Sequence, residues 1–173
     1  EPFGYFAIAR VPIGGQEVVI TRTGYTNELG WEFYTEPHHD AGALWNHLAK
    51  AGEPYGMEIF GLDAMNIRRI EAGILNAGSD FNITTTPYDV RLGRFIDEDK
   101  GDFIGKEALK SACREPRLHG IKCETGEPLI SGSVEMDGAP AGVVTAGASS
   151  PFLKCGVGYA LMDNPQHGPG TKL

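Results

Sequence analysis

Thr21-Arg22-Thr23-Gly24-Tyr25-Thr26-Asn27-Glu28-Leu29-Gly30-Trp31-Glu32-Phe33-Tyr34 sets a Gly-Tyr-Thr turn between two strand-like runs. Val18-Val19-Ile20-Thr21 leads in, and Trp31-Glu32-Phe33-Tyr34 leads out. Alternation in the second run sends Trp31 and Phe33 to one face and Glu32 and Tyr34 to the other. A carboxylate between two aromatics on a strand is held rigidly on a partly dry surface. There it can accept hydrogen bonds from a flat, NH-rich ligand. The same pattern also suits a solvated glutamate on the outer face of a half-buried sheet.

Upstream, Tyr5-Phe6-Ala7-Ile8-Ala9-Arg10-Val11 reads as a strand, and Gly14-Gly15 separates it from Gln16-Glu17-Val18-Val19-Ile20 as a hairpin turn. Downstream, Ala41, Leu44, Trp45 and Leu48 recur at helical spacing, with Asp40 as N-cap and Gly52 as stop. A second helix covers Leu62 to Leu75, with Ile67, Ile70 and Ile74 on its buried side and Gly73 weakening its end. Residues 76–87 are a polar loop ending in Thr84-Thr85-Thr86-Pro87, the kind of segment where binding sites sit. Tyr88-Asp89-Val90 and Leu92-Gly93-Arg94-Phe95-Ile96 read as a return to strand, and Gly105 to Lys110 opens a short helix.

Beyond Glu115-Pro116 the texture changes to short strands separated by glycines: Leu118–Cys123, a hairpin around Asp137-Gly138, and Gly156–Met162. This places a boundary near residue 116, with 1–115 α+β and 116–173 all-β, a small antiparallel β-barrel or sandwich. The fold class is α+β.

The composition narrows the partners. A net charge of -8 over 173 residues argues against nucleic acid and anionic membrane, and no apolar run is long enough to span a bilayer. Cys113, Cys123 and Cys155 are odd in number and far apart, so they suggest neither a zinc site nor a disulfide framework, and a reducing, cytoplasmic compartment is expected. His38 and His39 adjoin Asp40, but neighbouring histidines at a helix start rarely face one point, so no metal is expected. There is no Gly-x-Ser-x-Gly, Walker-type loop, Gly-x-Gly-x-x-Gly or His-Glu-x-x-His.

Five motifs in register supply more. Gly24-Tyr25-Thr26-x-Glu28-x-Gly30-x-Glu32 resembles the signature of the glycine cleavage T-protein (aminomethyltransferase) family. Arg69-Ile70-Glu71-Ala72-Gly73, Thr85-Thr86-Pro87, Asp102 to Leu109, and Gly142 to Gly147 with Ser150-Pro151-x-Leu153-Lys154 follow in that family's order.

The resemblance implies a tetrahydrofolate-dependent one-carbon transferase built from an α+β folate-binding region and a small C-terminal β-barrel. It implies that Glu32 hydrogen-bonds the pterin ring and that Tyr25 lines the same site. The partners it implies are folate and a small methyl or aminomethyl donor. It assigns no catalytic residue to this chain, because the family's catalytic aspartate lies in an N-terminal region absent here. On that reading the chain is part of a longer polypeptide and is inactive alone.

Where glycine-cleaving members have a ligand-binding arginine four residues before the position of Arg69, this chain has Met65, followed by Asn66. A thioether cannot replace a guanidinium. That departure points toward the related folate-dependent demethylases acting on dimethylglycine, dimethylsulfoniopropionate or aryl methyl ethers. The alternative is a non-catalytic folate-binding or assembly module of a larger enzyme.

Overall fold

The computed structural model describes residues 3–125 and 131–173. Its helices and antiparallel sheets fall into two compact units, 1–68 and 69–173.

In the first unit, β1 (Ile8–Ile13) and β2 (Gln16–Thr21) form the expected hairpin, with Ile13 opposite Gln16. Gly14 and Gly15 both have positive φ, 58° and 79°. This is the pair of left-handed residues that a two-residue hairpin loop needs to match strand twist. β3 (Glu32–Tyr34) adds antiparallel to β2, pairing Thr21 with Glu32 and Ile20 with Phe33.

Helix α1 (Ala41–Gly52) starts where expected: the Asp40 carboxylate accepts from Ala43 N–H at 2.9 Å. The Gln16 amide also grips the Asp40 backbone, donating to its carbonyl at 3.0 Å and accepting from its N–H at 2.8 Å. The stop is displaced. Gly52 stays right-handed, and Glu53–Tyr55 continue as a 3₁₀ turn until Gly56 turns left-handed at φ 68°.

Helix α2 covers Leu62–Glu71, four residues short of the periodicity, and the unit division falls within it. Gly73 ends it. With φ 78°, it donates to the Ile70 carbonyl, while Ile74 N–H reaches back to the Arg69 carbonyl at 2.8 Å. That is the Schellman arrangement.

Residues 88–96 are turns with one 3₁₀ turn at Gly93–Phe95, not the expected strands. Arg91 adopts φ 62°, and Leu92 N–H closes back on the Pro87 carbonyl at 2.8 Å, so the backbone groups a sheet would need are spent locally. Helix α3 (Lys106–Ser111) follows.

The second sheet holds β4 (Leu118–Cys123), β5 (Gly132–Met136), β6 (Ala139–Ser150) and β7 (Cys155–Met162), in the order β4-β7-β6-β5 and antiparallel throughout. Among the described residues β4 and β5 remain the two edges, and no closed barrel forms. Val134, Ala141, Ala160 and Met162 make one apolar cluster against Ile121, Met136 and Val144. Asp137 and Gly138, both at positive φ, form the β5–β6 turn. Among the described residues no helix is long and apolar enough to cross a membrane.

Candidate functional site

The loop after β2 returns the chain antiparallel as β3, and this sets Thr21, Thr23, Glu32 and Tyr34 side by side. Thr23 donates its hydroxyl to Glu32 Oε2, and Tyr34 donates to the same oxygen at 3.3 Å. The bond from Tyr34, two residues along the strand, is the same-face relation that strand alternation predicts. Because the Thr23 proton is committed to Glu32, Thr21 donates to Thr23 across 2.5 Å. The hydroxyls thus form a polarised rail ending on the carboxylate. Glu32 Oε1 accepts no hydrogen bond from any described residue.

The flanking aromatics are less covered than alternation suggests. Trp31 is 43% exposed and Phe33 39%, and Glu32 itself is exposed. Trp31 is held by the Phe3 ring at 5.0 Å and by the Arg22 guanidinium at 5.6 Å. Arg22 also lies 4.8 Å from the Tyr5 ring and donates to the Phe3 carbonyl at 2.6 Å. Tyr25 is half-buried in the same loop, and Glu28 pairs there with Arg68. Glu32 and Tyr25 line neither of two open clefts among the described residues, one bordered by Tyr88 and Arg114, the other by Lys50 and Met57. His39 uses both ring nitrogens locally, Nδ1 accepting from Glu36 N–H and Nε2 bonding the Glu17 carbonyl at 2.8 Å.

The second unit holds polar groups that the sequence did not single out. Asp80 is fully buried and accepts from Arg69, from Asn76 N–H at 2.8 Å and from the Thr145 hydroxyl at 2.9 Å. Thr145 is the extra residue of a bulge in β6, between the pairs Val144–Ala160 and Ala146–Tyr159. The bulge turns its hydroxyl toward Asp80. The Tyr159 hydroxyl donates among the carbonyls of Arg69, Ile70 and Ile74, and Arg69 lies 5.7 Å from its ring. Asp80 reads as one more polar residue in a Gly-Ser-Asp loop, so only the long-range partner Thr145 reveals it.

Two more carboxylates are tuned nearby in sequence. Burial pushes the Asp89 carboxyl up, but the bonds from Arg117 and from the N–H and hydroxyl of Thr86 outweigh it and hold it below its ordinary value. Glu98 takes two bonds from Arg114, at 2.6 and 2.8 Å, and one from the Tyr88 hydroxyl at 2.7 Å. The Arg114 bonds, then the Tyr88 bond, lower it to about 2. The Tyr88 hydroxyl is pushed up by the same bond and by burial.

A family model described as the GCVT N-terminal domain matches residues 1–100. An aminomethyltransferase of Saccharopolyspora erythraea is 38% identical over 98% of this chain and 47% of that protein. One of Caldanaerobacter subterraneus subsp. tengcongensis is 39% identical over 99% of this chain and 46% of that protein. The trimethylamine-oxide aldolase of Ruegeria pomeroyi is 36% identical over the whole chain and 23% of that protein. The chain thus spans about half the length of the aminomethyltransferases it matches. The crystal structure of the glycine cleavage system aminomethyltransferase T from Bartonella henselae superposes with a TM-score of 0.70 at 30% identity, over 83% of this chain and 41% of that one.

Proposed function

The chain belongs to the GCVT N-terminal domain family of glycine cleavage T-protein aminomethyltransferases, and from that premise we propose that it supplies the pterin-recognition surface of a tetrahydrofolate-dependent one-carbon transferase. The observation that carries this is the state of Glu32. One carboxylate oxygen is fixed by the Thr23 and Tyr34 hydroxyls, and the other takes no hydrogen bond from any described residue on an exposed strand. That donor-poor, acceptor-rich edge fits a flat heterocycle offering N–H groups. When bound, tetrahydrofolate supplies the N5 nucleophile that takes up the one-carbon unit. Glu32 orients the ring and moves no proton. The Thr21–Thr23 rail keeps the carboxylate from turning, so the open oxygen presents one direction. Tyr25, in the same loop, borders the ring.

In this reading residues 1–115 are the C-terminal part of the folate-binding region and 116–173 a small β domain whose described strands form an open sheet. The one-carbon donor is a methyl or aminomethyl compound met in the cytoplasm. Met65 in place of the arginine favours a methylated amine or related donor, as does a relative whose name specifies trimethylamine oxide. The catalytic acid comes from further polypeptide. The isolated chain therefore binds and does not turn over, and transfer to tetrahydrofolate by this chain alone would overturn that part.

Calorimetric titration of tetrahydrofolate into the full chain tests the site. Glu32→Gln and Glu32→Ala should weaken binding about 10- to 100-fold, the worth of a charge-assisted hydrogen bond. Heats equal to those of the unaltered chain would remove Glu32 from the site.

A second reading, a non-catalytic folate-binding or assembly module, is favoured by one observation. In Ruegeria pomeroyi this region is under a quarter of a much longer protein. It requires the same binding result, but no recovery of transfer when the chain is combined with the N-terminal half of an aminomethyltransferase relative.

A further inference from the structure

The second unit carries an open cleft of about 360 Å³ lined by Tyr88, Arg91, Gly93, Arg94, Glu98, Arg114 and Pro116. Three guanidinium groups around one carboxylate are unusual in a chain of net charge -8. Their bonding separates them. Arg114 is spent: both its terminal nitrogens go to Glu98, and the two charges cancel. Arg91 donates Nε–H to the Leu118 carbonyl at 3.1 Å and Nη2–H to His119 Nδ1 at 3.0 Å, leaving Nη1 with no partner among the described residues. Arg94 lies 4.8 Å from the Phe95 ring and donates to no described residue.

Two features hold this arrangement. Arg91 sits at φ 62°, a conformation that L-residues adopt at a cost, and so its side chain is aimed by a strained backbone fixed at both ends. The Tyr88 ring packs against Gly93, where a Cβ would stand 2.5 Å from it, so the cleft wall is built against bare backbone.

We infer that this cleft is a binding site for a compact dianion, gripped by Arg91 Nη1 and the Arg94 guanidinium on a floor already neutralised by the Arg114–Glu98 pair. Arginine forks match phosphate and carboxylate oxygens alike. The shared chemistry is a small, doubly charged oxyanion, from either a phosphate group or a dicarboxylate. The site uses none of the residues around Glu32 and does not rest on the pterin reading; either proposal survives the failure of the other.

The test is calorimetry on the full chain with inorganic phosphate and with glutarate as separate arms, at constant ionic strength held with chloride. The expected result is saturable binding in at least one arm, with the tighter arm naming the source. Arg94→Gln should weaken it about tenfold or more. Arg10→Gln, a change at an exposed arginine on β1, should leave it unaltered. An independent readout is the His119 imidazole followed by NMR. Burial, then the Arg91 charge, holds its pKa below the ordinary value. An anion on Arg91 offsets that charge and shifts the titration upward, and the shift should vanish in Arg94→Gln. No saturation in either arm would overturn the assignment, as would equal affinity in Arg94→Gln or equal loss in Arg10→Gln.

Discussion

At the scale of single residues, the most consequential group in the second unit is Asp80. A buried carboxylate is tolerated only when its lone pairs are filled, and here an arginine, a backbone N–H and a hydroxyl fill them. Asp80→Asn removes the carboxylate charge that faces the buried Arg69 guanidinium. We expect a loss of about 3–5 kcal/mol in chemical denaturation. Thr145→Val removes only one hydrogen bond to the charge and should cost about 1.5–3 kcal/mol. Equal losses in the two variants would mean that Asp80 serves mainly as a partner for Thr145. Glu98 offers the pH-dependent counterpart. Its carboxyl is lowered from 4.5 to about 2 in the folded chain. The stability it contributes is therefore complete above 4.5 and is lost as the pH falls through about 2. Asp89, also lowered, contributes with the same sign. Urea midpoints measured across that acid range should fall less steeply in Glu98→Gln than in the unaltered chain. An unchanged slope would remove the Arg114–Glu98–Tyr88 contact from the folded state's acid response.

At the scale of elements, two glycines do different jobs, and the difference can be measured. Gly73 ends α2 at φ 78° in open space, so its requirement is conformational. Gly158 lies in ordinary strand conformation across from the β6 bulge, where an added Cβ would stand 2.3 Å from the Ala146 carbonyl oxygen. Its requirement is steric. Gly73→Ala should cost about 1–2 kcal/mol and Gly73→Asn clearly less, because asparagine tolerates the left-handed region. Gly158→Ala should cost about 1–3 kcal/mol, with Gly158→Asn worse. Thermal unfolding of the four variants decides it, and an asparagine that rescues both sites would refute the distinction. The same contrast explains what could be read in advance. Gly14-Gly15 and Asp137-Gly138 announced their hairpins because local twist dictates those residue pairs. The strand pattern at 88–96 misled because Arg91 takes a glycine-like φ that no composition rule anticipates. Gly73 was legible as a weak point in the helix, yet its role as terminator depends on where Ile74 N–H turns, which periodicity does not encode.

At the scale of the whole molecule, motif order carried the family and strand alternation carried the pairing of Glu32 with Tyr34. The Asp80 and Glu98 constellations were hidden, since each is closed by residues more than ten positions away. The distribution of burial has its own consequence. Among the described residues, only Val18 and Leu44 of the first unit are buried apolar side chains; the other thirteen belong to the second. Most exposed large apolar side chains, including Tyr5, Phe6, Tyr55, Ile59, Phe60 and Leu62, lie in the first. Apolar burial is the dominant favourable term in folding, and local opening follows its scarcity. Amide hydrogen exchange on the full chain should therefore divide at α2. Amides of β6 and β7, paired along eight positions over an apolar cluster, should be the slowest to exchange. Those of β3, three residues long and exposed throughout, should exchange at least about tenfold faster, with β1 and β2 between. Tetrahydrofolate held by Glu32 should slow β3 more than β7, because a ligand raises the opening energy of the element that holds it. Equal protection of β3 and β7 in the free chain would contradict this account of where the stability resides. A ligand effect confined to β7 would instead place recognition in the second unit.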